Sequence, residues 1–305
     1  MKKSPAAILR FHGVRGSRPV HDPHNLVYGG NSTCIEFDTG LNYSIVVDGG
    51  SGLQNLSALK SANSQRKKLH ILITHTHWDH VLMLPFLRQV ESSDCEIHFY
   101  APDVAGVPFK DIFFDLMKPG RLPIPKPSIK ANLSFSKVTP GKTFIIEGKV
   151  KVVGFQVNHQ HITLGYKISY ESSVAAIIPD IASIEGGNLL GETFTEQARS
   201  MGVKKFEKNY NSQLIKFLKD VPNVVFDTHF NQENLKADWG HATPEFAMDI
   251  CAKARVKRLF MFHHAPEDLD QDIAKKQMLA QRLAIHLGMD VVNAREEDEW
   301  PLTAA

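Results

Sequence analysis

The sequence predicts an α+β protein in which two β-sheets pack together and are covered by helices. Short apolar, β-branched runs recur along the whole chain, each closed by Gly, Asp, Asn or Pro. Helical stretches come late in each half instead of following every strand, which argues against a simple strand–helix–strand repeat. No internal repeat or low-complexity linker divides the 305 residues, so the chain reads as one domain over 1–305.

Taken in order, the strand candidates of the first half are AILRFHGV, CIEFDT, YSIVVDGG, KLHILITH, EIHFYAP, KTFIIEG and VKVVGFQVNH. The second half continues with GYKISY, VAAIIPD, NVVFDT and VKRLFMFHH. In ATPEFAMDICAKARV, Thr243 is an N-cap and Pro244 takes the first helical position, with Phe246 and Ile250 on one face. DLDQDIAKKQMLAQRLAIHLG carries Leu269, Ile273, Leu283 and Leu287 at roughly helical spacing and stops at Gly288. KPGRLPIPKPSIK, Lys118 to Lys130, is too rich in proline for a helix interior or central strand and reads as an exposed loop. The span 181–219 reads as a long polar connection, helical near SQLIKFLKD.

A net charge of +2 provides no strong field for nucleic acid or an acidic membrane surface. No segment approaches the about eighteen apolar residues of a membrane span, and MKKSPAAILRFHGVRG lacks a secretory apolar run. Cys34, Cys95 and Cys251 are scattered and odd in number, which speaks against a disulfide framework. A cytoplasmic location is the expectation, and the N-x-S/T triplets at Asn31, Asn55 and Asn132 then carry no glycosylation meaning.

The chemistry concentrates in ILITHTHWDH, where His75, His77, Asp79 and His80 follow an apolar run. Alternate residues of an extended chain point the same way, so His75 and His77 can face one ion while Asp79 and His80 turn toward a second. Imidazole mixed with carboxylate suits Zn, Mn or Fe better than Ca or a thiolate-bound metal. Further ligand types close other apolar runs: His159, with His161 as competitor, Asp180, and His263 with His264. Asp48 ends IVVD before a Gly turn, a usual place for a carboxylate that supports a site.

In this order the residues resemble the metallo-β-lactamase-fold hydrolases, in the branch of ribonuclease Z and small phosphodiesterase-like proteins. The motifs FHGVRGSRPV, YGGNSTCIEF, VVDGGSGL, THTHWDH, NHQHITLGYKI, WGHATPE and VKRLFMFHH carry the resemblance over nearly the whole chain. It implies an αββα four-layer sandwich of two mixed sheets flanked by helices, often dimeric. It also implies two divalent ions, zinc foremost with manganese or iron as alternatives. One would be held by His75, His77, His159 and Asp180, the other by Asp79, His80, Asp180 and His263. In the H-x-x-x-x-x-G-Y motif, Gly165 and Tyr166 select His159 over His161, and the last ligand falls on His263 instead of His264. Asp48 would orient a ligand histidine, and His241 matches a non-ligand histidine beside the reaction centre. The segment at about 103–130, with Phe109, Phe113 and Phe114, resembles a lid, although core or dimer packing is the plainer role for the phenylalanines. Two departures stand out. Ile181 follows the bridging aspartate where relatives usually have Thr, and His229 lies where they commonly have Gln.

The expected reaction is phosphodiester hydrolysis of a small nucleotide or cyclic nucleotide by a metal-held hydroxide, with Asp79 and His241 as catalytic residues. Arg15, Ser17 and Arg18 on the first strand-to-loop turn, together with Asn31 and His229, are the candidate substrate contacts. Hydrolysis of a thioester or lactone on the same site is the alternative reaction. A metal-bearing ligand-binding effector with little turnover is the non-enzymatic one. A flavodiiron oxidoreductase is disfavoured, since the chain carries neither a flavodoxin-like segment nor a carboxylate-rich cluster.

Overall fold

The computed structural model describes residues 6–56, 66–118, 120 and 129–302. Two seven-stranded mixed sheets form its centre. The first contains β1 (Ala7–Gly13), β2 (Cys34–Asp38), β3 (Tyr43–Val47), β4 (Lys68–Leu72), β5 (Glu96–Ala101) and β6 (Asn132–Lys137). The second contains β7 (Thr143–Ile146), β8 (Val150–Val157), β9 (Thr163–Tyr170), β10 (Ser173–Ile178), β11 (Asn223–Asp227), β12 (Arg258–Phe262) and β13 (Asp290–Asn293). The last strand, β14 (Glu299–Leu302), crosses back to pair antiparallel with β1. Each sheet is antiparallel on one side and parallel on the other, the parallel runs being β3-β4-β5-β6 and β10-β11-β12-β13.

The strands read as continuous apolar runs because both faces are buried. In β12, Phe260 and Phe262 point between the sheets while Leu259 and Met261 point outward, and Val225 and Val224 divide the same way in β11. The inter-sheet layer joins Leu9, Phe11, Ile35 and Phe37 to Val152, Leu164, Tyr166 and Ile177. Tyr166 keeps a polar tip there by donating its hydroxyl to the Ile73 carbonyl at 2.7 Å.

Helices α1 (Trp78–Val81) and α2 (Phe109–Leu116) belong to the first sheet's outer face. Helices α3 (Glu192–Met201), α4 (Val203–Leu218), α5 (Pro244–Lys253) and α6 (Asp270–Ala284) accompany the second. Four layers result, as expected from the sequence. Thr243 caps α5, its hydroxyl accepting from the Phe246 amide, and Pro244 occupies the first helical position where no N–H is needed.

Two local expectations change. The span 181–219 is largely two helices, α3 and α4, whose Phe194, Ala198, Phe206, Tyr210 and Leu214 form one buried stripe. In α6 the buried face is Ile273, Lys276, Ala280 and Ala284, while Leu283 and, in the turn just after the helix, Leu287 are 51% and 45% exposed. The helix packs beside β13, with small alanines on its buried face. Much of the lid-like loop, Pro119 and residues 121–128, lies outside the described residues. The phenylalanines before it are packing residues: Phe109 and Phe113 are buried against Phe99 and Phe135, and Phe114 sits beside Phe113 at the edge of that cluster. Cys34, Cys95 and Cys251 are free and buried. Among the described residues no helix is long and apolar enough to cross a membrane.

Phe113→Ala should lower unfolding stability by about 3–5 kcal/mol in chemical denaturation, the usual cost of truncating a buried aromatic. Unchanged stability would return this ring to a lid role.

Candidate metal centre

The carboxyl ends of β3, β4, β8, β10, β11 and β12 open at one end of the sandwich, and each delivers a polar residue there. In register, Val47 pairs with Leu72, Ile178 with Phe226, and Asp227 with Phe262. Asp227 closes β11, and Asp48, His75, His159, Asp180 and His263 follow their strands within a few residues. After β4 the chain runs extended through His77 and then turns into α1, so His75 and His77 precede the turn while Asp79 and His80 lie on it.

Two donor sets result. His75, His77, His159 and Asp180 bring one atom each within 4.8 Å of one another. In this set His159 Nε2 lies 3.3 Å from His77 Nδ1, and Asp180 Oδ2 lies 3.7 Å from His75 Nε2 and 3.6 Å from His159 Nε2. Asp79, His80 and His263 form the second set. There the other Asp180 oxygen, Oδ1, lies 3.0 Å from His80 Nε2 and 3.2 Å from His263 Nε2, while Asp79 Oδ2 lies 3.2 Å from each of those nitrogens. A tetrahedral ion bound at 2.0–2.2 Å needs donors about 3.3–3.6 Å apart, so both sets have the required size. Asp180 presents one oxygen to each. A third grouping, His229, His241 and His263, is also compact, but it has no carboxylate and borrows His263 from the second set.

The outer nitrogens are already committed, which aims the inner ones. His80 Nδ1 donates to Asp48 Oδ2 at 2.7 Å, and Asp48 also accepts from the Thr74 amide and hydroxyl. Thr74 Oγ1 lies 3.1 Å from His75 Nδ1, and His159 Nδ1 donates to the Gly240 carbonyl at 2.8 Å. His75 Nε2, His80 Nε2 and Asp180 Oδ1 are left buried without a hydrogen-bond partner. Buried polar atoms in that condition are costly unless an ion takes them. The donor set therefore fits divalent metal.

Electrostatics agree. Burial alone opposes charge on His80, but Asp180, Asp79 and Asp48 drive its pKa well above the ordinary histidine value. Burial likewise opposes ionisation of Asp180, yet the imidazoles of His263, His80 and His75 hold its pKa well below the carboxylate range. His159 goes the other way, pushed down to about 3 by burial, and so presents a neutral imidazole. This cluster of carboxylates requires positive charge, and neutral imidazoles are the form a metal accepts.

Beside the donor sets, His241 Nδ1 donates to Asp227 Oδ2 at 2.9 Å. Burial opposes protonation of His241, but Asp227 and then Asp180 raise its pKa above the usual value. Asp227 is fixed in turn by the amides of Ile181 and His229. The sequence reading passed over Asp227, although it closes the apolar run NVVF just as Asp48 and Asp180 close theirs. Ile181 has its side chain in the outer core and contributes through its amide, so its missing hydroxyl removes nothing the Asp227 contact needs.

Other candidates fall elsewhere. His161 is exposed, and His264 is buried with Nε2 against the Ala294 carbonyl. Arg15, expected to hold phosphate, is fully buried and donates to the carbonyls of Gly29, Ala265 and Asp268. It braces loops instead of meeting substrate. Asn31 is engaged by Ser51, Gln54 and Glu296. His229 is buried, donates Nδ1 to the His263 carbonyl and stacks on His241 at 4.4 Å, beside the centre. Arg18 is exposed and pairs with Glu267 at 3.6 Å. Of this group Ser17 alone lines the cleft over the centre, its amide donating to Asp79 Oδ2. Lys276, a buried lysine the sequence reading did not single out, ties the carbonyls of Thr228 and His229 to Asp268.

The fold and this centre define a metal-dependent hydrolase of the metallo-β-lactamase fold. The family profile described as "Beta-lactamase superfamily domain" matches residues 43–198, just over half of the chain. The chain belongs to that family. A ribonuclease Z of Enterococcus faecalis is 25% identical over 266 residues, covering 77% of this chain and 81% of the relative. Among solved structures, the metallo-β-lactamase fold protein YhfI of Bacillus subtilis superposes with a TM-score of 0.66 at 15% identity, covering 96% of this chain and 98% of its own. A diphosphatase of the PhnP family superposes with a TM-score of 0.61 at 15% identity, covering 98% of this chain and all (100%) of its own.

Zinc or manganese added to chelator-treated protein should raise the melting temperature, by an amount corresponding to about 2.7 kcal/mol at an ion concentration one hundred times Kd. Asp180→Asn, which weakens a donor to both sets, should abolish that rise and lower metal content in elemental analysis. Wild-type metal content in the variant would remove Asp180 from the centre.

Proposed function

We propose that the protein is a dinuclear metal-dependent phosphodiesterase acting on a small nucleotide or cyclic-nucleotide diester. The observation that carries this is the placement of Asp180, one oxygen toward each donor set, next to the His241–Asp227 pair. Two divalent ions there would supply an acidified water nucleophile and positive charge at the attacked phosphorus. His75, His77 and His159 with Asp180 would hold one ion, and Asp79, His80 and His263 with Asp180 the other.

The remaining work falls to the protein's own groups. Asp48 and the Gly240 carbonyl fix the tautomers of His80 and His159, so that Nε2 stays a donor to metal. Asp227 holds His241 with Nδ1 protonated, leaving Nε2 as the working nitrogen over the cleft. With both ring nitrogens protonated, His241 would give its Nε2 proton to the leaving alkoxide as the water oxygen bonds phosphorus and the leaving oxygen departs, and the proton lost by the water would restore the imidazolium. Asp79 serves as a ligand and also anchors the Ser17 amide, which places that turn at the cleft wall.

The test is turnover of bis(p-nitrophenyl) phosphate, cyclic mononucleotides, a thioester and a lactone by metal-loaded protein. Diester hydrolysis is expected, with loss of at least about 10³-fold in Asp180→Asn and His263→Ala. Turnover of the thioester or lactone alone would replace this reading. Asp227→Asn should lower kcat by about 10²–10⁴, the range for a misoriented general acid, with a smaller effect on KM. Equal loss in KM with kcat unchanged would make Asp227 a binding residue only.

A further inference from the structure

We propose that Trp78 and Trp239 form an aromatic clamp at the mouth of the catalytic cleft, selecting diesters that carry a flat ring next to the scissile phosphate. The inference rests on the phosphodiesterase reading and deepens it by assigning what surrounds the phosphate. The cleft has a volume of about 500 Å³; His77, Asp79, Asp180 and His241 belong to its reactive side, and Trp78, Trp239 and Gln160 line it as well.

Both indoles are conspicuously exposed, Trp78 at 61% and Trp239 at 48%. Large aromatic rings normally bury most of their surface, so two of them left open on one reactive cleft offer apolar surface to a bound ring. Their backbones are held by the centre itself. Trp78 opens α1 between His77 and Asp79, and these flanking residues go to the donor sets. Its carbonyl also accepts from the Leu82 amide. Trp239 ends a short turn before Gly240, whose left-handed conformation and carbonyl contact to His159 tie that turn to the centre. Both backbones are therefore fixed by the elements that position the chemistry, which lowers the ordering cost of binding.

Their ring environments differ in a way that suits a clamp. Trp239 has the Lys236 ammonium over its ring at 3.8 Å and the Phe230 ring steeply inclined to it with centroids 6.3 Å apart. Trp78 has no ring or cation partner among the described residues. No lysine or arginine lines the cleft among the described residues, and Asp238 adds another carboxylate. A second anionic group therefore meets no cation among the lining residues beyond the Lys236 ammonium over Trp239, whereas a neutral flat ring finds two aromatic surfaces. Stacking on such surfaces accepts any base or aryl ring, since each presents a π-face.

The experiment measures binding of AMP and of ribose 5-phosphate to metal-loaded protein by calorimetry, with indole fluorescence quenching as a second readout. The wild type should bind AMP at least about fivefold more tightly, the lower end of what one stacked base contributes. Trp78→Leu and Trp239→Leu should each bring that ratio toward one, and Trp78→Phe and Trp239→Phe should retain more of it. Because the ratio is taken within each variant, a change in ion content that weakens phosphate binding cancels. A wild-type ratio of one, or equal ratios in the Leu and Phe variants, overturns the clamp. Since binding is read without turnover, a preserved ratio in a protein that hydrolyses no diester supports the clamp while removing the proposed reaction. Diester hydrolysis with a ratio of one removes the clamp alone.

Discussion

The structure depends above all on the neutralisation of buried carboxylates where the two sheets open. Asp180 is buried, and burying a charge without compensation costs more than the net stability of most domains. Its neighbours answer that cost from both halves of the chain: His75 and His80 come from the first sheet, His159 and His263 from the second. The charge that would make the centre reactive therefore also joins the two sheets at this end.

Holding so many polar groups in one place strains the backbone locally. Ser17, Asp48 and His263 all have positive φ, near 60°, a conformation that non-glycine residues avoid. Each touches the centre or supports it. Gly16 and Gly240 answer the crowding in another way, because a Cβ at either position would run into the ring of His263 or His159. Two buried cations then stiffen the loops behind the donors. Arg15 collects the Gly29, Ala265 and Asp268 carbonyls, and Lys276 collects those of Thr228 and His229 while pairing with Asp268. Asp268 serves both, so the segments leading from β11 and β12 are braced from one point.

Much of this architecture is legible in the sequence because burial writes itself into composition. Strands covered on both faces become apolar runs, and a polar ligand type at the end of such a run stands out. That is why β1 to β5 and β7 to β12 match apolar runs, and why His75, His77, Asp79, His80, His159, Asp180 and His263 could be chosen as candidates. The strands without such a signature are β6, β13 and β14. β6 and β13 are sheet edges, with Ser alternating in β6, and β14 contains Pro301, which an edge tolerates and a central strand does not. Asp227 carried the same strand-end signal as Asp48 but was eclipsed by His229 two residues later.

By itself, then, the sequence determined two layers of strands covered by helices and the chemical type of the centre, since both follow from which residues are apolar and which are His or Asp at strand ends. Tertiary structure alone decided direction. It turned Arg15 and Asn31 inward to carbonyls and neighbouring side chains, stacked His229 beneath His241, and chose the alanine face of α6 over its leucines. It also left Trp78 and Trp239 open on the cleft. The physical reason is common to all of these. Whether a side chain meets core, solvent or site depends on the groups that distant segments bring beside it, and local spacing does not encode that partner.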